Sequence, residues 1–161
     1  MIMNNQAEKL RAFLESQQVE FRLLPHQSPT VSIEETAKQR NVCPSQMVKS
    51  MVLRDMSNRY ALACTAGDTQ IDPKKVRAIL NWRRMTCVAT EQLYDITGYA
   101  VGTITPLLLK NPMPIIFDES LSTCSEVTIS SGSPMAGIAI NINDLEYLAK
   151  PIWAKIKKAD Q

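Results

Sequence analysis

A single lysine and a glycine-punctuated loop carry most of the chemistry legible in this chain. Lys49 lies in Met47-Val48-Lys49-Ser50-Met51-Val52-Leu53-Arg54, an otherwise apolar run with strand character. At a period of two it shares a face with Met47, Met51 and Leu53, while Val48, Ser50, Val52 and Arg54 share the other. Neither face is cleanly polar, so a central strand covered on both sides is expected. A lysine there either reaches water from the strand end or supplies a fixed positive charge to a site. The second feature is Gly98-Tyr99-Ala100-Val101-Gly102-Thr103-Ile104-Thr105-Pro106. Gly98 reads as the C-cap of a short helix over 90–97, with Thr90 as N-cap. Gly102 has no such explanation, because it interrupts an apolar segment, where glycine marks a bulge or a close approach to the main chain. A loop over 101–106 that turns free N–H and C=O groups towards a ligand is expected. Lysine beside main-chain donors suits an anionic or carbonyl-bearing group.

Other reactive side chains are less informative. His26, the chain's one histidine, sits in a Pro-His-Gln-Ser-Pro turn, where it is either structural or part of a site. Cys43, Cys64, Cys87 and Cys124 are widely spaced without a Cys-x-x-Cys pair, so they read as free structural thiols. Zinc-ligand spacing is absent and no metal is expected. Asp118 reads as a solvated aspartate at a strand end. The net charge of +2 does not by itself announce nucleic acid. No apolar run approaches the roughly 20 residues that span a bilayer. Residues 1–15 carry Glu8 and Glu15 and no apolar signal core, so a cytoplasmic protein without membrane attachment is expected.

The elements that must hold these residues follow from periodicity and punctuation. Residues 5–18 predict an amphipathic helix with Leu10, Phe13 and Leu14 inward, and 19–23 a half-buried strand ending at Pro25. Ser32 and Glu35 form a capping pattern before a helix over 33–40. The Lys49 strand pairs as a hairpin with 60–66 across the polar 55–59 connection. Asp72-Pro73 opens a third helix with Val76, Ile79 and Leu80 inward, and 84–88 is a short strand. Strands follow over 115–118, 126–130 and 138–142, the last two joined by a turn containing Gly132, Pro134 and Gly137. Asn143 and Glu146 cap a last helix ending at Ala149, and residues 151–161 form a basic tail read as a solvated helix face. The whole predicts one domain of 161 residues, a mixed α/β (α+β) fold around a largely antiparallel or barrel-like sheet.

The run from His26 through Ser32-Ile33-Glu34-Glu35 to Gln46-Met47-Val48-Lys49-Ser50-Met51-Val52-Leu53 resembles the YbaK type of aminoacyl-tRNA deacylase domain. That family also occurs as the editing insertion of bacterial prolyl-tRNA synthetases. Gly67-Asp68, Asp72-Pro73-Lys74-Lys75-Val76, the segment 93–106, the segment 115–121, Ser131-Gly132 and Asn143-Asp144-Leu145 extend the likeness over about residues 10–148. Its most specific elements are Lys49 and Gly102-Thr103-Ile104-Thr105-Pro106, a Gly-x-x-x-Pro loop.

The resemblance implies a YbaK-like fold with a barrel-like sheet flanked by helices. It also implies a free-standing hydrolase that cleaves the ester of a mischarged tRNA, without metal or organic cofactor. The implied substrate is tRNA for proline carrying a small wrong amino acid such as alanine or cysteine, with prolyl-tRNA synthetase as an implied partner. Lys49 and Gly102 are the candidate catalytic residues. His26, Ser50, Gly98, Thr103, Ile104, Thr105, Pro106, Ser131 and Gly132 are candidates for substrate binding. On this reading Lys49 fixes the terminal adenosine or a nearby phosphate, and the 102–106 backbone positions the ester and a water. The alternative is a non-catalytic module that holds an aminoacyl-tRNA or nucleotide end for a synthetase. The chain departs from the family after Pro106, where Leu107, Leu108 and Leu109 replace a glycine-containing continuation; these leucines are expected to reshape the mouth of the amino-acid pocket. The basic tail lies outside the match, with its lysines as candidates for tRNA contact.

Overall fold

In the computed structural model, which describes residues 5–30 and 32–159, eight strands form two sheets around a shared core. The first four residues of the 1–15 stretch lie outside those described. The chain runs α1 (Asn5–Ser16), β1 (Phe21–Pro25), α2 (Ile33–Arg40), β2 (Val48–Asp55), β3 (Tyr60–Ala66), α3 (Pro73–Leu80) and β4 (Met85–Cys87). It continues with α4 (Leu93–Thr97), β5 (Ile115–Asp118), β6 (Glu126–Ser130), β7 (Ala136–Asn141), α5 (Ile142–Ala149) and β8 (Ile152–Ala154).

One sheet has three strands in the order β1-β7-β6, all antiparallel. The other has five in the order β4-β2-β3-β5-β8. Its β4, β2 and β3 are antiparallel neighbours, whereas β3–β5 and β5–β8 are parallel. A parallel bridge between Met47 and Thr128 joins the two sheets at the entrance to β2. The mixed, largely antiparallel α/β fold expected from the sequence is therefore present, with the barrel-like character carried by two sheets wrapped on one core.

That core gathers Val52, Leu62 and Cys64 from one sheet and Val127, Ile129, Ile138 and Ile140 from the other, closed by Leu10 and Leu14 of α1 and Leu145 of α5. The opposite face of β2 and β3 packs Leu53, Ala61 and Ala63 against Val76 of α3 and Ile156. Both faces of β2 are thus covered, as its unpatterned sequence predicts.

Local signals account for the helix boundaries. Ser32 Oγ accepts from Glu35 N and Asp72 from Lys74 N, so α2 and α3 start at the capping residues read from the sequence. Other local readings are corrected. Ile79 is 45% exposed because Val76 and Leu80 suffice to cover the sheet face, and Leu23 is 40% exposed on edge strand β1. Thr90 opens a 3-10 turn (Thr90–Gln92) instead of capping a helix, and α5 is capped by Asn141 rather than Asn143. Gly137 lies within β7, not in the preceding turn. The tail is not a solvated helix: β8 extends the five-stranded sheet, and Ile156 is fully buried. Asp118 is likewise not solvated. It is buried, caps the following 3-10 turn, and accepts from the N–H groups of Ile156 and Lys157 at 2.8 and 3.1 Å.

Candidate active site

The N-terminal end of β2, the 100–106 loop, the segment 26–40 and the turn after β6 enclose a cavity of about 260 Å³. Lys49 and Ser50 enter it from β2, His26 and Arg40 from the first sheet's side, and Gly102 and Ile104 from the loop. Among the described residues, two cations line it and no aspartate or glutamate does.

Lys49 is half-buried, with Nζ donating to Thr69 O at 2.6 Å. Burial lowers its pKa below the usual lysine range, and the nearby Asp68 and Glu34 carboxylates oppose that shift. Ser50 is on the other face of β2, beside Cys64 at 3.4 Å. Burial pushes the Cys64 thiol up to about 12, so it is not a nucleophile at neutral pH.

The loop is held at its base. Gly98 terminates α4 in the left-handed conformation, with its N–H bonded to Tyr94 O. Tyr99 then buries its ring and donates its hydroxyl to Leu107 O at 2.5 Å, pinning both ends of the 100–106 segment. A turn closes where Thr103 N and Oγ1 both donate to Ala100 O, and Ser130 Oγ donates to Thr103 O at 2.7 Å. Gly102 sits at the tip with φ +84° and open space where a Cβ would be. Among the described residues, the N–H groups of Gly102 and Ile104 have no protein acceptor.

His26 is buried and held on both ring nitrogens, by Pro134 O at 2.9 Å from Nδ1 and by Arg40 Nε at 3.2 Å from Nε2. Because the guanidinium is a donor only, the ring proton is on Nδ1 and Nε2 accepts. Arg40 also donates through Nη1 to Thr128 Oγ1 at 2.9 Å, and burial pulls its pKa down to about 10. Nothing in the local sequence singles out Arg40, since a basic residue in the last turn of a helix is ordinary capping chemistry. Its role emerges from β7 crossing beneath it.

The structure thus gathers Lys49, Ser50, His26, Gly102 and Ile104 at one cavity. Thr103, Thr105 and Pro106 are buried beneath it as the loop's inner side. Thr105 Oγ1 has no partner. Ser131 and Gly132 form the turn after β6, where Ser131 Oγ donates to Ala136 O and Gly132 N donates to Ser130 Oγ. Gly98 lies in a separate groove with Leu108 and Leu109. Leu107 is buried in the core, so none of the three leucines reaches the cavity and the expectation that they reshape its mouth is corrected. Among the described residues there is no group of three or more His, Cys, Asp and Glu side chains placed to hold a metal ion, and no helix is long and apolar enough to cross a membrane.

Residues 27–148 match the aminoacyl-tRNA editing domain family. An uncharacterised protein of Bacillus subtilis, YwhH, is 26% identical over 82% of this chain and 84% of its own length. The proline–tRNA ligase of Bacillus licheniformis is 29% identical over 76% of this chain, which spans only 19% of that ligase. A crystal structure described as a candidate trans-editing enzyme for prolyl tRNA synthetase superposes with a TM-score of 0.84 at 23% identity, covering 98% of this chain and all of that one. At that identity the structural likeness establishes the fold.

Proposed function

Since this chain belongs to the aminoacyl-tRNA editing domain family, we propose that it acts in trans as a deacylase. It hydrolyses the ester of tRNA for proline bearing a small wrong amino acid such as alanine or cysteine. The observation that carries the reading is the convergence of Lys49 with the unpaired N–H groups of Gly102 and Ile104 on one cavity. The matches to proline–tRNA ligases support the choice of tRNA. A synthetase pocket separates small apolar side chains by only about 1–3 kcal/mol per methylene, so a second site that removes errors has a clear use.

An aminoacyl ester is already activated and needs alignment more than a protein nucleophile. Water adds to the ester carbonyl carbon, and the resulting oxyanion lies near the 102–104 N–H groups. Lys49 holds the terminal adenosine and adds positive potential. Collapse breaks the ester C–O bond: the ribose oxygen leaves as a hydroxyl with one proton of the attacking water, and the amino acid leaves as a carboxylate with the second proton released to solvent. The substrate's neighbouring ribose hydroxyl is well placed chemically to relay the first of these protons.

The test is a deacylation time course on tRNA for proline charged in turn with alanine, cysteine, serine and proline. Loss of one wrong amino acid with proline spared is expected, and Lys49→Ala should slow it by roughly 10²–10³-fold. Saturable tRNA binding with no acceleration of ester loss on any substrate would instead favour a non-catalytic module that delivers an aminoacyl end to a synthetase.

A further inference from the structure

The deacylation chemistry leaves one cation of the cavity without a task. The Arg40 guanidinium lies across β7 above Gly137, where an added Cβ would come 2.5 Å from Cζ, so the glycine makes room for it. Nε and one N–H of Nη1 are spent on His26 and Thr128. The remaining N–H groups, including both of Nη2, have no partner among the described residues. The ion pairs among those residues involve Arg11, Arg22, Arg59 and Lys155, not Arg40. With no acid in the cavity wall and none paired with it among the described residues, this is a partly desolvated charge open to an anion from outside. The open edge of the guanidinium is a planar fork that fits two oxygens of one anion. Ser133, also in the wall, accepts from Met135 N and keeps its own hydroxyl hydrogen to donate.

We propose that Arg40 is the phosphate-binding group of this cavity and takes the phosphate on the 5′ side of the terminal nucleoside. His26, fixed as an acceptor towards Arg40 Nε, and Thr128 act as positioning residues for the fork. A phosphate presents two oxygens to the fork in a fixed geometry, and the carboxylate of a free amino acid is the competing anion. The identity of the nucleotide rests on the proposed editing function; the anion site itself does not depend on turnover.

The experiment is a titration of the intact protein at low salt with AMP, adenosine, inorganic phosphate and free alanine and proline. The wild type, Arg40→Gln, Arg40→Lys and Lys49→Ala are compared, with thermal melts confirming that each is folded. Wild type should bind AMP at least about tenfold more tightly than adenosine, as a charge-assisted bidentate contact implies. AMP and phosphate, but not adenosine, should shift the Arg40 Nε resonance. Arg40→Gln should abolish the AMP preference and Arg40→Lys should lose most of it, whereas Lys49→Ala should weaken AMP and adenosine together. Equal affinity of wild type for AMP and adenosine overturns the proposal, as does an unchanged preference in both Arg40 variants. Tighter binding of free alanine or proline than of AMP also overturns it, in favour of a carboxylate site. If Arg40→Gln does not fold, the wild-type resonance shift and Arg40→Lys still decide. An intact AMP preference together with no deacylation of any charged tRNA supports the anion site while removing the editing reaction.

Discussion

At Gly102 the backbone, not space, is limiting. Its φ of +84° belongs to the left-handed region, yet a Cβ there would touch nothing within 4 Å. Gly102→Ala should therefore destabilise the fold by only about 1–2 kcal/mol while bending the loop tip. On the deacylase reading it should lower turnover well beyond that stability loss, and Gly102→Asn, which tolerates positive φ better, should recover part of it. Melting temperature and deacylation rate measured on the same samples separate the two effects. A second single-residue effect lies far from the cavity. Asp55 is buried; burial raises its pKa, but hydrogen bonds from the Arg59 side chain and from the Arg59, Arg83 and Ser57 N–H groups outweigh this and bring it to about 2. The folded value lies below the unfolded value of about 3.9. Asp55 therefore contributes its full stability above about pH 4 and loses it as pH falls towards 2. Urea midpoints between pH 2 and 6 should show a shallower acid limb for Asp55→Asn, with lower stability at neutral pH.

Among the elements, the last turn of α2 places Arg40 over Gly137 of β7 and in the wall of the cavity. Gly137 pairs with Leu24 on one side and Ser130 on the other, and its missing side chain is the floor on which Arg40 rests. Gly137→Ala should displace the guanidinium and break its bonds to His26 and Thr128. The expected cost is about 1–3 kcal/mol, with loss of the AMP preference although no charged group has been removed. A melt together with the AMP titration checks both. The loop opposite is fixed by a different device. Its two ends are tied by Tyr99 to Leu107, and its middle by Ser130 to Thr103.

On the scale of the molecule, the two cores share the five-stranded sheet, and the last strand closes it. Trp153 of β8 packs edge-on against Phe117 at 5.4 Å, Ile156 fills the core beneath α3, and the N–H groups of Ile156 and Lys157 satisfy Asp118. Removing residues 152–161 would leave a buried carboxylate short of donors and a cavity in place of Ile156. A loss of about 4 kcal/mol or more is expected from those two effects together. A soluble, cooperatively melting truncated protein with an unchanged melting temperature would contradict this. Lys155, Lys157 and Lys158 of the tail are consequently carried on the packed continuation of β8, not on a free appendage.

The amino-acid sequence by itself determined what is decided within a few residues of each position. Ser32 and Asp72 start their helices because a side-chain oxygen meets an N–H two or three residues on. Gly98 ends α4 for the reason its position suggests, and the apolar run around Lys49 pairs with 60–66 because the polar 55–59 turn brings it back. The clustering of Lys49 with the Gly102 loop was legible as a pairing of residue types. Only the tertiary structure decided the contacts between segments far apart in the chain. The parallel register of β3, β5 and β8 has no local turn to set it, so a short apolar segment after Pro151 gave no sign of being a strand. Ile79 fits the helical period for burial but stays exposed, because Val76 and Leu80 already cover the sheet face. Arg40 looks like an ordinary helix-end cation until β7, about a hundred residues later in the chain, lays Gly137 beneath it. Its charge acquires a setting from desolvation and from neighbours that meet only when the chain is folded.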